Sequence, residues 1–181
     1  MRKLIESTFV SLDGVIGSPE KWTMPWFGGD LKDHARARLA DIDAFLLGRR
    51  TYENFAASWS QIKGDEYFDR INALPKFVAS TSLLETTWNA TLLKGNVAAE
   101  IAKLKSQPGR SIMKYGTSDL DRTLIEHGLI DEFHFAIFPV AVGSGTHLFE
   151  GIDTTRLKLT LRDTKTFASG VISLTYVPSY L

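Results

Sequence analysis

Apolar runs with strand character alternate with helical spacing along most of the chain. Leu4 to Val10 is rich in β-branched and aromatic residues and reads as a first strand, ended by the turn chemistry of Asp13-Gly14. Residues 18–30 hold Pro19, Pro25, Gly28 and Gly29 with Trp22, Trp26 and Phe27 between them, which predicts a long aromatic loop. A helix from about Leu31 to Ala40 follows, then a buried strand, Ala44–Leu47. Gly48 opens a turn into a short helix around Thr51 to Ala56. A helical stretch near Glu66 to Asn72 is stopped by Pro75, and Lys76–Ala79 forms the next strand. Val97 to Lys105 places Val97, Ala98, Ile101, Ala102 and Leu104 at amphipathic helix spacing. Ser111–Tyr115 is a strand, and Ser118 or Asp119 can cap a helix carrying Leu120, Leu124 and Ile125, with Gly128 as its stop. Phe133 to Val142 is nearly continuous in apolar residues, the type buried on both faces of a sheet. Leu157–Thr166 and Val171–Val177, around Ser169-Gly170, predict an antiparallel hairpin. The pattern implies one α/β domain over residues 1–181, a mainly parallel central sheet with helices on both faces and an antiparallel C-terminal hairpin.

Composition narrows the function classes. The chain has 21 basic and 21 acidic residues and no formal net charge, so nothing implies broad attraction to nucleic acid or an anionic membrane. It contains no cysteine, which excludes disulfides, thiolate metal sites and cysteine nucleophiles and suits a reducing interior. Met1–Glu6 lacks the apolar run of a signal peptide and no segment has the apolar length of a membrane span, so a soluble cytoplasmic protein is expected. The four histidines show no metal-ligand spacing, and no nucleophile elbow, Walker loop or zinc signature is present. His134, within a strand, reads as structural. Asp30, Asp33, Asp41 and Asp43 flank the first helix, where such residues are caps or solvated faces unless burial turns one into a proton donor.

Four segments carry candidate chemistry, each where a strand gives way to a turn or helix: 13–17, 48–53, 80–82 and 115–118. Ligands of open α/β sheets lie in the crevice beyond the strand ends, so the four together suggest one elongated site for a phosphate-bearing ligand, a dinucleotide above all. Gly48-Arg49-Arg50-Thr51 joins a glycine, a helix N-terminus and two guanidinium groups, a combination suited to phosphate oxygens. Read blandly, it is a turn glycine, a cap and two surface arginines. Ser80-Thr81-Ser82 offers hydroxyls to a ribose phosphate, although plain turns use such clusters more often. Tyr115-Gly116-Thr117-Ser118 opens a helix directly after a strand without matching the G-x-G-x-x-G fingerprint, and Asp119 would set a carboxylate near a bound anion.

Read in order, these residues resemble the dihydrofolate reductase-like superfamily, and within it the branch of the riboflavin-biosynthesis reductase domain. The resemblance spans almost the whole chain. It rests on Ser11-Leu12-Asp13-Gly14-Val15-Ile16-Gly17, Leu47-Gly48-Arg49-Arg50-Thr51-Tyr52-Glu53, Lys76-Phe77-Val78-Ala79-Ser80-Thr81, Gly128-Leu129-Ile130-Asp131-Glu132, and Pro139-Val140 with Gly143-Ser144-Gly145 and Leu148-Phe149. It implies a stand-alone, NADPH-dependent oxidoreductase of that fold that pairs as a homodimer through a sheet edge. By position, Phe9, Val10 and Ser11 would back the nicotinamide, with Ile16 and Gly17 beside it and its ribose. Gly48, Arg49, Arg50 and Thr51 would meet phosphates, and Ser80 and Thr81 the adenosine ribose and its 2′-phosphate. Gly116, Thr117, Ser118 and Leu120 would hold the pyrophosphate.

Two departures stand out. The paired glycines of the family are Tyr115-Gly116 here, and the peptide at that place in dihydrofolate reductases is cis. The carboxylate that orients the pterin in those enzymes has no clear counterpart, since counting lands at Leu31 or Lys32 and reaches Asp30 or Asp33 only with a small gap. The expectation is hydride transfer to a small heterocyclic or carbonyl-type substrate, pterin- or pyrimidine-like, with folate itself disfavoured. Trp22, Trp26 and Phe27 would wall the substrate pocket, or pack on a dimer partner. Water, Asp30 or Asp33 would supply the proton, and no metal is required. The alternative is an NADP(H)-binding sensor or assembly protein without turnover.

Overall fold

A computed structural model describes all 181 residues. Eight strands form one sheet: β1 Leu4–Ser11, β2 Ile42–Gly48, β3 Lys76–Ala79, β4 Ala90–Leu93, β5 Ser111–Tyr115, β6 Glu132–Phe138, β7 Leu157–Thr166 and β8 Ile172–Tyr180, in the order β4-β3-β2-β5-β1-β6-β8-β7. The strands from β4 to β6 in that order are mutually parallel, and β8 and β7 close the sheet antiparallel. Five helices connect them: α1 Gly29–Leu39, α2 Arg49–Ser58, α3 Glu66–Ala73, α4 Val97–Ser106 and α5 Asp119–Glu126.

Strand alternation divides the core into two layers. Leu4, Val10, Ala44, Leu46 and Ile112 pack with Ala98, Ile101 and Leu104 of α4 and Leu124 and Ile125 of α5. Their chain neighbours Ile5, Phe45, Leu47 and Met113 face the other way and pack with Leu39 of α1, Tyr52 of α2 and Tyr67 and Ile71 of α3. A smaller cluster of Trp22, Leu31, Phe138, Phe167 and Val171 seats the aromatic loop against the sheet. Buried Lys76 closes the end of α3: its Nζ donates to the carbonyls of Ile71, Asn72 and Leu74 at 2.7, 2.9 and 2.7 Å. This occupies carbonyls that the last helical turn leaves open.

β3 and β5 have the expected bounds, and the helices agree with expectation to within two or three residues at each end. One expectation needs correction, and two further features stand beside it. The apolar run from Phe133 ends as a strand at Phe138, because Pro139 lacks the N–H that a sheet ladder needs and Leu12 N takes Val140 O outside it. β4 was not expected; it is four residues long and follows Trp88 and Asn89, both at positive φ. The Tyr115–Gly116 peptide is trans, as every peptide is.

Candidate functional site

The parallel strands all end on one edge of the sheet, and that edge carries all four predicted segments, after β1, β2, β3 and β5. Gly48 closes β2 and stands as the N-cap of α2 with extended backbone and no side chain to cap it. The first amides of α2 are therefore open to a ligand, at the positive end of the helix. A Cβ added to Gly48 would lie 3.5 Å from Ser118 Oγ and 3.9 Å from Leu120 Cβ, so the α2 and α5 turns face each other across a narrow crevice. Gly116 takes φ 73°, a conformation that favours glycine, and an added Cβ there would meet nothing within 4 Å, leaving its backbone approachable. Arg49 and Arg50 are exposed at the rim, Arg49 within 3.7 Å of Glu53.

Ile16 and Gly17 lie on a loop braced against 139–148. Val15 bridges His147, Ile16 N donates to Thr146 O at 2.9 Å, and the Asp13 carboxylate accepts from Val142 N and Gly143 N at 3.0 and 2.7 Å. The Ser11 hydroxyl and those two amides hold Asp13 ionised, with its pKa well below the usual carboxylate range. Ser11 Oγ also accepts from Val15 N, so this serine builds the loop. Phe9 stacks edge-on against Phe138, and Val10 is buried on the opposite face. Ser80 Oγ accepts from Ser82 N and Leu83 N at 3.1 and 3.0 Å, the bland turn reading, while Thr81 is exposed.

Below this edge a cavity of about 40 Å³ lies between α1 and the sheet. Leu31, His34, Ala35 and Arg38, at helical spacing, form its roof. Its floor comes from one face of four strands: Ser7 and Phe9 of β1, Met113 and Tyr115 of β5, His134 and Ala136 of β6, and Ser173 of β8. Register sets Tyr115, Ser7, His134 and Thr175 side by side in one row. Phe27 and Tyr67 close the ends, and the Tyr67 and Tyr115 hydroxyls meet at 3.1 Å.

Of the predicted aromatic residues, Phe27 reaches this cavity; Trp22 is buried with its Nε1 on Gly17 O at 2.9 Å, and Trp26 is half-buried beside it. Asp30 and Asp33 lie elsewhere. Asp30 is exposed and accepts from Ala168 N, and Asp33, about opposite Leu31 on the helix, pairs with Arg36 at 2.7 Å. Neither aspartate lines the cavity. Sequence reasoning missed its polar wall of His34, Arg38, His134 and Tyr115. The available signal was the pair at positions 34 and 38, one helical turn apart, opposite a histidine in an otherwise apolar strand.

The other face of the sheet carries an ion-paired network under the start of α5, in which Glu6 Oε2 and Asp121 Oδ1 are left without partners. Lys114 pairs with Asp121 at 2.5 Å and donates to Gly116 O, while Asp121 accepts from Ser118 N at 2.6 Å. Thr117 Oγ1 donates to Glu6 at 2.8 Å, and Thr8 Oγ1 donates to the same carboxyl. Burial above all, then Asp121, pushes the Glu6 carboxyl up to about 7, against the pull of Lys114 and the two threonines. These contacts fix the backbone of residues 116–118 from beneath.

A parallel sheet with a crevice at its strand ends, an uncapped helix start opposite a glycine turn, and an aromatic cavity alongside define an α/β domain with a candidate ligand crevice. A model of the RibD C-terminal domain family matches residues 2–173, and the chain belongs to that family, which is of reductase type. The chain is 32% identical over 183 residues to the uncharacterized protein YyaP of Bacillus subtilis (strain 168), covering 97% of this chain and 94% of that one. Among solved structures, a putative riboflavin biosynthesis protein from Shewanella sp. PV-4 superposes with a TM-score of 0.74 at 21% identity, covering 98% of this chain and 99% of that one. A dihydrofolate reductase from Enterococcus faecalis, complexed with NADP(H), gives a TM-score of 0.63 at 14% identity over 98% and 96% of the two chains. The fold is dihydrofolate reductase-like. No helix is long and apolar enough to cross a membrane.

Proposed function

We propose that this protein is a reductase that takes NADPH in the crevice and a small heterocyclic or carbonyl-type substrate in the adjoining cavity. The observation that carries the reading is the uncapped α2 start at Gly48, facing the open Gly116 turn beside an aromatic-walled cavity. The residues fit a dinucleotide. Amides of Arg49, Arg50 and Thr51 would receive phosphate oxygens, with the two guanidinium groups at the rim. Gly116, Thr117, Ser118 and Leu120 would hold the pyrophosphate, and Ser80 and Thr81 the adenosine side. Phe9, Val10, Ser11, Ile16 and Gly17 would shape the nicotinamide end, where Phe9 also walls the cavity. When bound, NADPH supplies hydride, and the chain supplies orientation and a dry surface.

Titration with NADPH and NADH tests this. Sub-millimolar NADPH affinity is expected, weakened about tenfold or more by the double change R49A/R50A, as lost charged hydrogen bonds require. Absence of binding by either dinucleotide would sink the reading. A binding protein without turnover is the second reading, favoured by the lack of any carboxylate on the cavity wall; NADPH that binds but is never oxidised would select it. We also place a second copy of the chain at the β7 edge, where Leu161 is 50% exposed. Sedimentation of Leu161→Lys is expected to give monomer where the wild type gives dimer.

A further inference from the structure

The cavity wall holds polar groups that burial has separated from partners. His134 is 7% exposed, and its Nδ1 has no hydrogen-bond partner; His34 Nε2 on the roof is likewise unpartnered. The Arg38 guanidinium donates to Thr175 Oγ1 at 3.2 Å and is paired with no carboxylate. Buried polar atoms are ordinarily paired, so two unpartnered ring nitrogens beside an arginine without an ion pair, all on one small cavity, describe a site shaped for something else.

The chemistry of that site follows from the other side of the His134 ring. Its Nε2 lies 2.9 Å from Glu132 Oε2. Glu132 is itself held by Lys3 Nζ at 2.7 Å and by Arg162 Nη1 at 2.9 Å, Arg162 being the extra residue of a bulge in β7. Burial alone would raise the Glu132 carboxyl, but the hydrogen bonds from Lys3 and His134 leave it below its ordinary value and ionised. An ionised carboxylate only accepts, so Nε2 carries the hydrogen and Nδ1 is the nitrogen free to exchange a proton, on a ring that lines the cavity. A carboxylate–imidazole pair of this kind orients a ring for proton transfer.

We propose that His134, oriented by Glu132, is the catalytic acid of the reductase, and that the cavity takes a planar carbonyl compound whose oxygen lies between His134 Nδ1 and the Arg38 guanidinium. This rests on the reductase reading above. The carbonyl carbon accepts hydride from reduced nicotinamide, forming a C–H bond as the C=O π pair moves onto oxygen. The proton on Nδ1 of the imidazolium then forms the O–H bond. The nicotinamide is oxidised, the carbonyl becomes an alcohol, and His134 is left neutral until the next substrate brings negative charge against Arg38 and the ring takes up a proton from solvent. Glu132 is a positioning residue. The rings of Phe9, Phe27 and Tyr115 suit a flat substrate, and the lack of a carboxylate on the wall disfavours one recognised by its N–H edge.

The charged groups around the ring set when it can act. Burial first, then Arg38 from α1, lowers its pKa to about 4, against the upward pull of Glu132 on its own strand; His34 from α1 adds to the lowering. Tyr115 of β5 stays protonated through burial, and Asp163 of β7 faces Arg38 and His34. An oxygen bearing negative charge against Arg38 cancels that cation and lets the ring take up its proton.

Imidazole NMR of the full-length protein, with nitrogen-labelled histidine and benzoate as a planar, non-reducible anionic probe, tests the assignment. His34→Gln separates the two cavity histidines. Free protein is expected to show His134 as the Nε2–H tautomer, and benzoate to raise its pKa by about one unit or more as the Arg38 charge is compensated. Arg38→Met should abolish that response, and Glu132→Gln should release the tautomer. With phenylglyoxylate as acceptor, His134→Gln should lower kcat about a hundredfold, the scale of lost acid catalysis, with NADPH affinity kept. A His134 ring unmoved by benzoate overturns the site. Wild-type protein that binds both ligands without reducing the ketone, or an unchanged kcat in His134→Gln, overturns the acid role. Failure to bind NADPH sinks the reductase reading and the acid role together, and the benzoate response then reports separately on the cavity.

Discussion

The two faces of the central sheet handle their cations in opposite ways. Glu6 and Lys114 face α5, and their chain neighbours Ser7 and Tyr115 face α1. Toward α5 the charges answer one another: Lys114 meets Asp121, and Glu6 is met by two threonines. Toward α1 the cation Arg38 forms no ion pair, feeling Glu132 and Asp163 only at longer range, and His134 keeps one nitrogen unpartnered. The same strands thus carry an ion-paired scaffold on one side and a wall without an ion pair to its cation on the other. A paired buried charge holds a backbone in place; an unpaired one awaits a ligand.

The sharpest way to break this comparison is to remove one cation from each face. Lys114→Met is expected to cost about 3–5 kcal/mol in urea unfolding, because it strands Asp121 and Glu6 as uncompensated buried groups. Arg38→Met should stay within about 1 kcal/mol of wild type or exceed it, since no partner is left behind. Equal losses would mean that the α1 face is scaffold as well.

The next effect is in pH. Glu6 has a folded pKa of about 7 against an ordinary 4.5, so its contribution is full below pH 4.5 and is lost as pH rises through 7. His134 has a folded pKa of about 4 against an ordinary 6.5, so its contribution is full above pH 6.5 and is lost as pH falls through 4. Each is worth up to about 3 kcal/mol, and the slopes oppose one another over the shared interval. Glu6→Gln should therefore leave stability falling as the solution is acidified, and His134→Gln should leave it rising. Identical profiles for the two variants would contradict the assignment of either group.

The smallest expected effect concerns the crevice between the faces. Gly48→Val adds bulk 3.5 Å from Ser118 Oγ at a backbone conformation that valine adopts without strain. NADPH affinity should fall about tenfold, or 1.4 kcal/mol, with thermal stability little changed. An unchanged affinity would place the dinucleotide elsewhere.

The crevice was legible in the sequence because its signals are local. A glycine, hydroxyls and arginines at the end of an apolar run report a strand end and a helix start within a few residues, as at 48–51 and 115–118. The cavity was not, because its wall is assembled from α1 and four strands, one or two residues at a time, and only register brings Ser7, Tyr115 and His134 together. His134 in isolation is indistinguishable from a core histidine. Asp30 and Asp33 are carboxylates near the right place, but helical periodicity turns Asp33 away from the sheet while it turns His34 and Arg38 toward it, and Asp30, a turn before His34 at the helix start, is taken up by Ala168 N. β4 escaped for a simpler reason. Four residues after two left-handed ones carry too little pattern to distinguish an edge strand from a loop.

The Tyr115–Gly116 junction joins the two halves of the site through a single peptide unit. Tyr115 presents its ring to the cavity, and Gly116, one residue on, opens the crevice while its N–H stays on Ser7 O at 2.9 Å. A shift in that unit on binding at one end is felt at the other, and thermodynamic linkage makes the exchange symmetric. Whatever factor a dinucleotide held in the crevice contributed to affinity in the cavity, a ligand of the cavity would return to the dinucleotide. The reach of that factor is one bond of backbone, so the order in which the two ligands arrive changes the route and leaves the final affinity of the ternary complex the same.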